Sequence, residues 1–361
     1  MAKPGLSKIR SEIDAAGLRW QAADNPISRL RPEARTSRLG LAVPPGERER
    51  VAQAMVTAEA MRAVSAHAGE RDWRDVGGDD FVTPIRDQGN CGSCVSFASV
   101  ATIESQARIE YKEPSWDVDL SEAELFFCGG AACAEGWWPV HALEYATEHG
   151  IGDEACMPYA DHDLVCNLPD DKADRMLTVG EWQEVAGIEQ RKGWLDTNGP
   201  MIACLAVYED FFAYDDGIYE HATGDLAGYH AVSCIGFNDA EGYWLCKNSW
   251  GAQWGDGGFF KIAYGEAEID TSFAMYGVSG ITGTLAPEEE HEESTGIADY
   301  VVLRSDARAD VLFAHVDGAW RHLSISNRRA ADLSDVAFVA GQVSVTYEGE
   351  RITALSSWMT K

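Results

Sequence analysis

The 361-residue sequence predicts an α+β protein in two lobes, with a helical segment before it and a small all-β domain after it. Three observations carry that expectation. Apolar residues recur at helical spacing over 94–111, 121–127 and 138–149. Strand patterns then take over at 201–207, 230–237, 243–247 and 259–263. Past residue 296 the chain alternates with period two. Helices followed by strands belong to the α+β class.

Taken in order, residues 1–70 read as helical. Val51, Ala54, Met55, Ala58, Met61 and Val64 mark a long periodic stretch from Arg48 to His67, and Pro44-Pro45-Gly46 breaks the chain before it. This segment holds 11 basic and 8 acidic side chains, whereas the whole chain carries a net charge of -30. It is therefore complementary in charge to the rest of the chain. It suits either a surface helix pair or a segment that docks on the acidic body and covers its cleft. Residues 71–286, rich in Trp and Gly, form the main body. Residues 287–296, with Glu288-Glu289-Glu290-His291-Glu292-Glu293, read as a solvated acidic linker. In 297–361, alternating runs separated by turns at Asp317-Gly318 and Glu348-Gly349 predict a small β barrel or sandwich with room for a partner of its own.

With 59 acidic against 29 basic side chains, the chain repels nucleic acid and anionic membranes, so neither is expected as a partner. No apolar run approaches the roughly 20 residues that span a bilayer, and the first 20 residues read as neither a membrane helix nor an ordinary secretory signal.

Of nine cysteines, Cys91, Cys94, Cys128, Cys133 and Cys166 crowd into one third of the chain. Cys91-Gly92-Ser93-Cys94 has the spacing of a zinc half-site, but Cys128 and Cys133 are a poor second half, and no metal or other cofactor is expected. A nucleophilic thiol needs its pKa lowered, which a helix start and a neighbouring imidazolium both accomplish. Cys94 is so placed. It ends the turn-forming run Gln88-Gly89-Asn90-Cys91-Gly92-Ser93 and opens a helical pattern from Val95.

Here the sequence resembles the papain family of cysteine peptidases. The resemblance lies in Asp72-Trp73-Arg74, in Val82 to Cys94, in Tyr229-His230-Ala231-Val232 and in Lys247-Asn248-Ser249-Trp250-Gly251. The family signature sets His and Asn roughly 130–150 residues after the nucleophile. One departure is Val95, where the family has an aromatic residue. The resemblance implies the two-lobed papain-like fold and hydrolysis of peptide or protein substrates. In it Cys94 is the nucleophile, His230 the acid/base and Asn248 the group that orients the imidazole. Gln88 and the Cys94 amide would be the oxyanion donors. Of the competing histidines, His221 reads as a loop residue.

The resemblance also pairs Cys128 with Cys166 and Cys91 with Cys133. It gives no role to Cys156, Cys204, Cys234 or Cys246, which are expected to be buried thiols; Cys234 and Cys246 face one another across a hairpin, where a bridge is open but strained. For substrate binding it points to Gly136 pairing with the peptide backbone, and to Trp137, Trp138 and Tyr229 lining an apolar pocket for the second residue before the scissile bond. Trp250 joins this group and shields the His230–Asn248 bond from water. Residues 1–70 would occlude the cleft and be removed near Gly69 to Asp72. The same fold also serves peptide ligation, leader-peptide removal or a silent binding scaffold. Disulfides imply an oxidising compartment, while the missing signal leaves the destination open between the cytoplasm and an unconventional export route.

Overall fold

The computed structural model describes residues 4–60, 69–285, 294–305, 310–316, 319–325, 342–348 and 351–358. The chain divides into Met1–Pro287 and Glu288–Lys361. The N-terminal segment thus belongs to the first unit and does not stand apart. It contributes α1 (Leu6–Ala16), β1 (Trp20–Ala22), α2 (Pro32–Thr36) and α3 (Glu47–Ala60). The expectation of a purely helical segment fails at Trp20–Ala22. These residues pair with the edge of the main sheet and bury Trp20 to 3 % exposure, its ring 5.1 Å from that of Tyr219. Residues 61–67 of the long periodic stretch lie outside the described residues.

After β2 (Glu70–Asp72), the helical lobe is built from α4 (Cys94–Tyr111), a π-helical turn (Glu124–Cys128), α5 (Pro139–Glu148), β3 (Ile151–Gly152) and β4 (Met176–Thr178). Every residue of α4 from Cys94 to Arg108 is buried. A helix with no solvent face has to lie inside the protein, and α4 runs through the centre of this unit. Lys112, in the left-handed conformation with φ 58°, ends it through amide contacts to the carbonyls of Arg108 and Ile109.

The sheet lobe follows with β5 (Glu181–Val185), α6 (Ile188–Thr197), β6 (Met201–Tyr208), β7 (Tyr214–Tyr219), β8 (Leu226–Asn238), β9 (Tyr243–Lys247), β10 (Phe259–Ala263), β11 (Met275–Ser279) and β12 (Thr282–Gly283). Its strands run in the order β1-β7-β10-β9-β8-β6-β11-β5, with β2 also paired to β8; β12 joins β4 and β3 in a separate small sheet. One apolar cluster surrounds α4 with Ile103, Leu120, Phe126 and Leu143. A second, aromatic one packs Phe211, Phe212, Tyr214, Trp244, Trp254 and Phe260, and receives Ile9, Ile13 and Trp20 from the N-terminal segment.

Arg191 on α6 is fully buried and donates to the carbonyls of Val185 (3.1 Å), Ile269 (3.3 Å) and Phe273 (2.6 Å). Arg191→Ala strips three buried carbonyls of their donors. Each orphaned group costs about 1–3 kcal/mol, so calorimetry should show the first unit melting at least roughly 6 °C lower.

The second unit is a closed barrel of β13 (Ser294–Ser305), β14 (Asp310–Val316), β15 (Ala319–Ile325), β16 (Gln342–Glu348) and β17 (Arg351–Trp358), in the order β13-β14-β15-β17-β16. A register irregularity between Ala298 and Tyr300 lets the long β13 pair with β16 at its start and β14 at its end. Strand β13 begins at Ser294, inside the stretch read as linker. The Glu-rich part of that linker, the Asp317-Gly318 turn and Gly349 lie outside the described residues.

Candidate active site

Cys94 is the first residue of α4, where the amides of the opening turn have no helical acceptor and the helix dipole favours negative charge. No side chain caps this end; the Ser93 hydroxyl is engaged with Tyr159 Oη at 2.7 Å. Val95 is fully buried, and the helix runs unbroken through it.

His230 sits on β8, paired to Leu205 of β6. Asn248 follows β9 directly. Asn248 Oδ1 accepts from the Ser249 amide at 2.8 Å, which identifies that atom as the oxygen, and it lies 2.8 Å from His230 Nε2. Nε2 therefore carries the proton in the neutral ring and leaves Nδ1 as the bare nitrogen. Nδ1 is buried and makes no hydrogen bond, although the Arg38 main chain lies near the imidazole. The amide of Ala231, next to His230, lies close to the Cys94 thiol, which places β8 beside the start of α4.

Trp250 is 2 % exposed, with its ring 4.8 Å from the imidazole and stacked on Phe212 at 5.4 Å. In this strapped form it is buried against the histidine. Gln88 is also wholly buried. Its Oε1 accepts from Ser249 Oγ at 2.7 Å, and this turns Nε2 toward the Cys91 carbonyl (2.8 Å) and the Arg38 carbonyl (3.0 Å). Ser249 was not singled out in the sequence, though it stands inside the Lys-Asn-Ser-Trp-Gly string.

Cys91 is bonded to Cys133 and Cys128 to Cys166, the pairing the resemblance implied. With its sulfur so engaged, Cys91 is no longer a thiolate for a zinc half-site. His221 is paired with Asp210 at 3.2 Å and stacked on Tyr208, away from this cluster.

A model of the papain family of cysteine proteases matches residues 68–278. The chain belongs to that family. As a papain-family cysteine peptidase it acts on peptide or protein substrates. A gut-specific cysteine proteinase of Caenorhabditis elegans is 33% identical to it over 220 residues, which is 53% of this chain and 67% of that protein. Cathepsin B-like cysteine proteinase 2 of Haemonchus contortus is 32% identical over 254 residues, 60% of this chain and 71% of that one. Among solved structures, the digestive procathepsin L2 proteinase of Tenebrio molitor larval midgut superposes with a TM-score of 0.63 at 25% identity, covering 76% of this chain and 89% of that chain. Procathepsin B S9 of Trypanosoma congolense, at 22% identity, shares the fold with a TM-score of 0.62 over 77% of this chain and 99% of its own.

In this papain-family protease the cleft between the lobes is filled by its own residues 38–42. Trp137 donates to the Gly40 carbonyl (2.8 Å) and accepts from the Ala42 amide (2.9 Å), while the Leu41 amide reaches the Tyr229 carbonyl at 3.3 Å. This strap is closely fitted. A Cβ on Gly40 would collide with the Gly92 backbone, and one on Gly136 with the Gly40 carbonyl.

Arginines anchor the strap and its flanks to carboxylates of the body. Arg35 meets Glu209 at 3.0 Å and Arg38 meets Asp87 at 2.6 Å; Arg48 meets Glu268 at 2.6 Å and Arg50 meets Glu184 at 2.7 Å. Nothing in Arg38-Leu39-Gly40-Leu41-Ala42 marks it as special in the sequence. Its only signal was the basic excess of the whole segment.

The strap meets the residues expected to bind substrate. Gly136 has φ 69°, and its amide is used within a turn to the Ala132 carbonyl, so Trp137 presents the backbone edge instead. The Trp137 ring turns into the helical lobe, 6.0 Å from Phe126 and against Gly129. Trp138 lies beside Tyr276 and Tyr229 beside Phe273, at 6.4 and 5.7 Å. Leu41 is 6 % exposed and shares an apolar cluster with Trp138, Cys204, Phe273 and Tyr276.

With water excluded, burial pushes the Cys94 thiol up to about 11 and pulls the His230 imidazole down to about 4. In this closed form both groups are neutral over the whole ordinary pH range. Behind them, Lys247 Nζ donates to Thr83 Oγ1 (2.9 Å), and Thr83 donates to Glu104 on α4 (2.6 Å), a buried relay that ties the strand before Asn248 to the helix that Cys94 opens.

Proposed function

We propose that the chain is a cysteine endopeptidase made as a zymogen, with Cys94 as nucleophile, His230 as acid/base, Asn248 as the orienting group and Gln88 as an oxyanion donor. The observation that carries this reading is the 2.8 Å bond between His230 Nε2 and Asn248 Oδ1, on the strand whose next amide contacts the thiol at the head of α4. Once the cleft is open and wet, Nδ1 takes the thiol proton and the thiolate attacks the scissile carbonyl. The oxyanion lies between Gln88 Nε2 and the Cys94 amide, the imidazolium protonates the departing amine, and water then cleaves the thioester. Gln88→Ala removes one oxyanion donor and should lower kcat about 10²–10³-fold in steady-state assays, with a much smaller change in KM.

The strap supports autoinhibition, because Arg38 lays its carbonyl on the Gln88 amide and Gly40 presents its own amide to the thiol. Excision belongs before Glu70 rather than among residues 70–72. Those are paired with β8, and Arg71 is held by Asp196 at 2.5 Å. The two disulfides support maturation in an oxidising compartment. Among the described residues no helix is long and apolar enough to cross a membrane.

The apolar surroundings of Leu41 support a preference for an apolar or aromatic residue at the second position before the scissile bond. A positional peptide library incubated with residues 70–361 tests both parts. Hydrolysis with apolar residues favoured at that position is the expected result. A preference there for Asp or Glu refutes the pocket assignment, and transfer to an added amine in place of hydrolysis refutes the reaction.

A further inference from the structure

Five cysteines are outside the two disulfides, and two of these five meet. In the register of β8 and β9, Cys234 stands directly opposite Cys246. Both are 0% exposed, and their thiols are near enough to interact. Directly opposed residues of an antiparallel pair have Cα atoms about 4.5–5.5 Å apart, inside the roughly 4.4–6.8 Å that a disulfide spans. The register shifts between Cys234 and Gly236, and such a bulge bends and twists the strand locally. That gives the pair latitude which two flat strands lack. Both cysteines belong to the aromatic core of the sheet lobe, where the Cys234 thiol donates to the Gly236 carbonyl at 3.6 Å, a contact the bridge would replace.

We propose that Cys234 and Cys246 are joined as a third disulfide when the chain folds under the oxidising conditions that close Cys91–Cys133 and Cys128–Cys166. The oxidant is a small-molecule or protein disulfide. The thiolate of one cysteine attacks it, forming a mixed disulfide and expelling one thiol. The thiolate of the other cysteine attacks the mixed disulfide and expels the second. Two electrons pass to the oxidant, and the two protons lost by the cysteines end on the released thiols. Because the folded protein seals both sulfurs, the exchange takes place before β8 and β9 pack. The bond then staples the strand that carries His230 to the strand that leads into Asn248. It depends on the register of the two strands and not on the peptidase reading.

The test is disulfide mapping of the full chain folded in a glutathione redox buffer. The protein is denatured with iodoacetamide and without reductant, digested, and analysed by mass spectrometry. The expected result is a linked pair of peptides containing Cys234 and Cys246, with alkyl groups on Cys94, Cys156 and Cys204. Alkylation of both Cys234 and Cys246 in molecules whose other two disulfides are intact overturns the proposal. In the Cys246→Ala variant, Cys234 should become alkylated while those two disulfides persist. Capture of Cys234 by Cys204 or Cys156 in that variant overturns the pairing.

Discussion

Cys94→Ala should lower turnover by residues 70–361 by at least about 10⁴-fold, with peptide binding largely kept and labelling by a thiol-directed epoxide lost. The size of the effect comes from the roles assigned around it. Gln88 and the backbone amides can still polarise a carbonyl, but without the sulfur no thioester forms and His230 Nδ1 has no proton to take. Residual hydrolysis then comes from positioning and the oxyanion site alone. Persistence of most of the activity would remove Cys94 from the nucleophile's role, whatever the geometry around it.

Gly40→Val in the full-length chain should raise peptide hydrolysis at least about 10²-fold with no bond cut. The strap fits only because residue 40 has no side chain: a Cβ there meets the Gly92 carbonyl, which is backbone at the mouth of the nucleophile loop and cannot rotate away. Expelling the strap rehydrates Cys94 and His230, so the probe reaction should also appear near neutral pH, where the closed form is inert.

The same groups set the pH response. His230 is pulled from its usual 6.5 to about 4, so the stability it lends the closed state is complete above 6.5 and is lost as pH falls toward 4. Cys94 is pushed from its usual 9.0 up to about 11, so closure weakens again as pH rises through that range. On the acid side the histidine accounts for roughly 3 kcal/mol. Labelling of the full-length chain by the probe at pH 4.5 should exceed that at pH 7. The opposite order would show that the imidazole is not sealed by the strap.

The sequence revealed most where chemistry or periodicity left local marks. The helix opening at Cys94, and the strands at 243–247 and 259–263, fall where their patterns placed them. Gln88, His230 and Asn248 could be named because loop, strand end and Lys-Asn-Ser-Trp-Gly string each differ from ordinary core sequence. The strap could not be named, because its contacts are made by backbone atoms of residues that any loop might contain. Gly136 was preferred to Trp137 for a related reason: side-chain identity says nothing about whose amide a turn has already consumed. The two short strands before residue 73, Trp20–Ala22 and Glu70–Asp72, were missed because three residues are too few to show alternation.

In the zymogen proposed above, the anchoring of the strap has a consequence for how inhibition would end. While the chain is intact, the strap is presented to the cleft at the effective concentration of a tethered ligand, in the millimolar range for a short connection. A cut before Glu70 turns it into a separate molecule without altering any contact it makes, from Arg35–Glu209 to Arg50–Glu184. Its occupancy is then governed by the bulk concentration of the cleaved protein and by the salt that screens those pairs. Cutting therefore makes release possible, and dilution completes it.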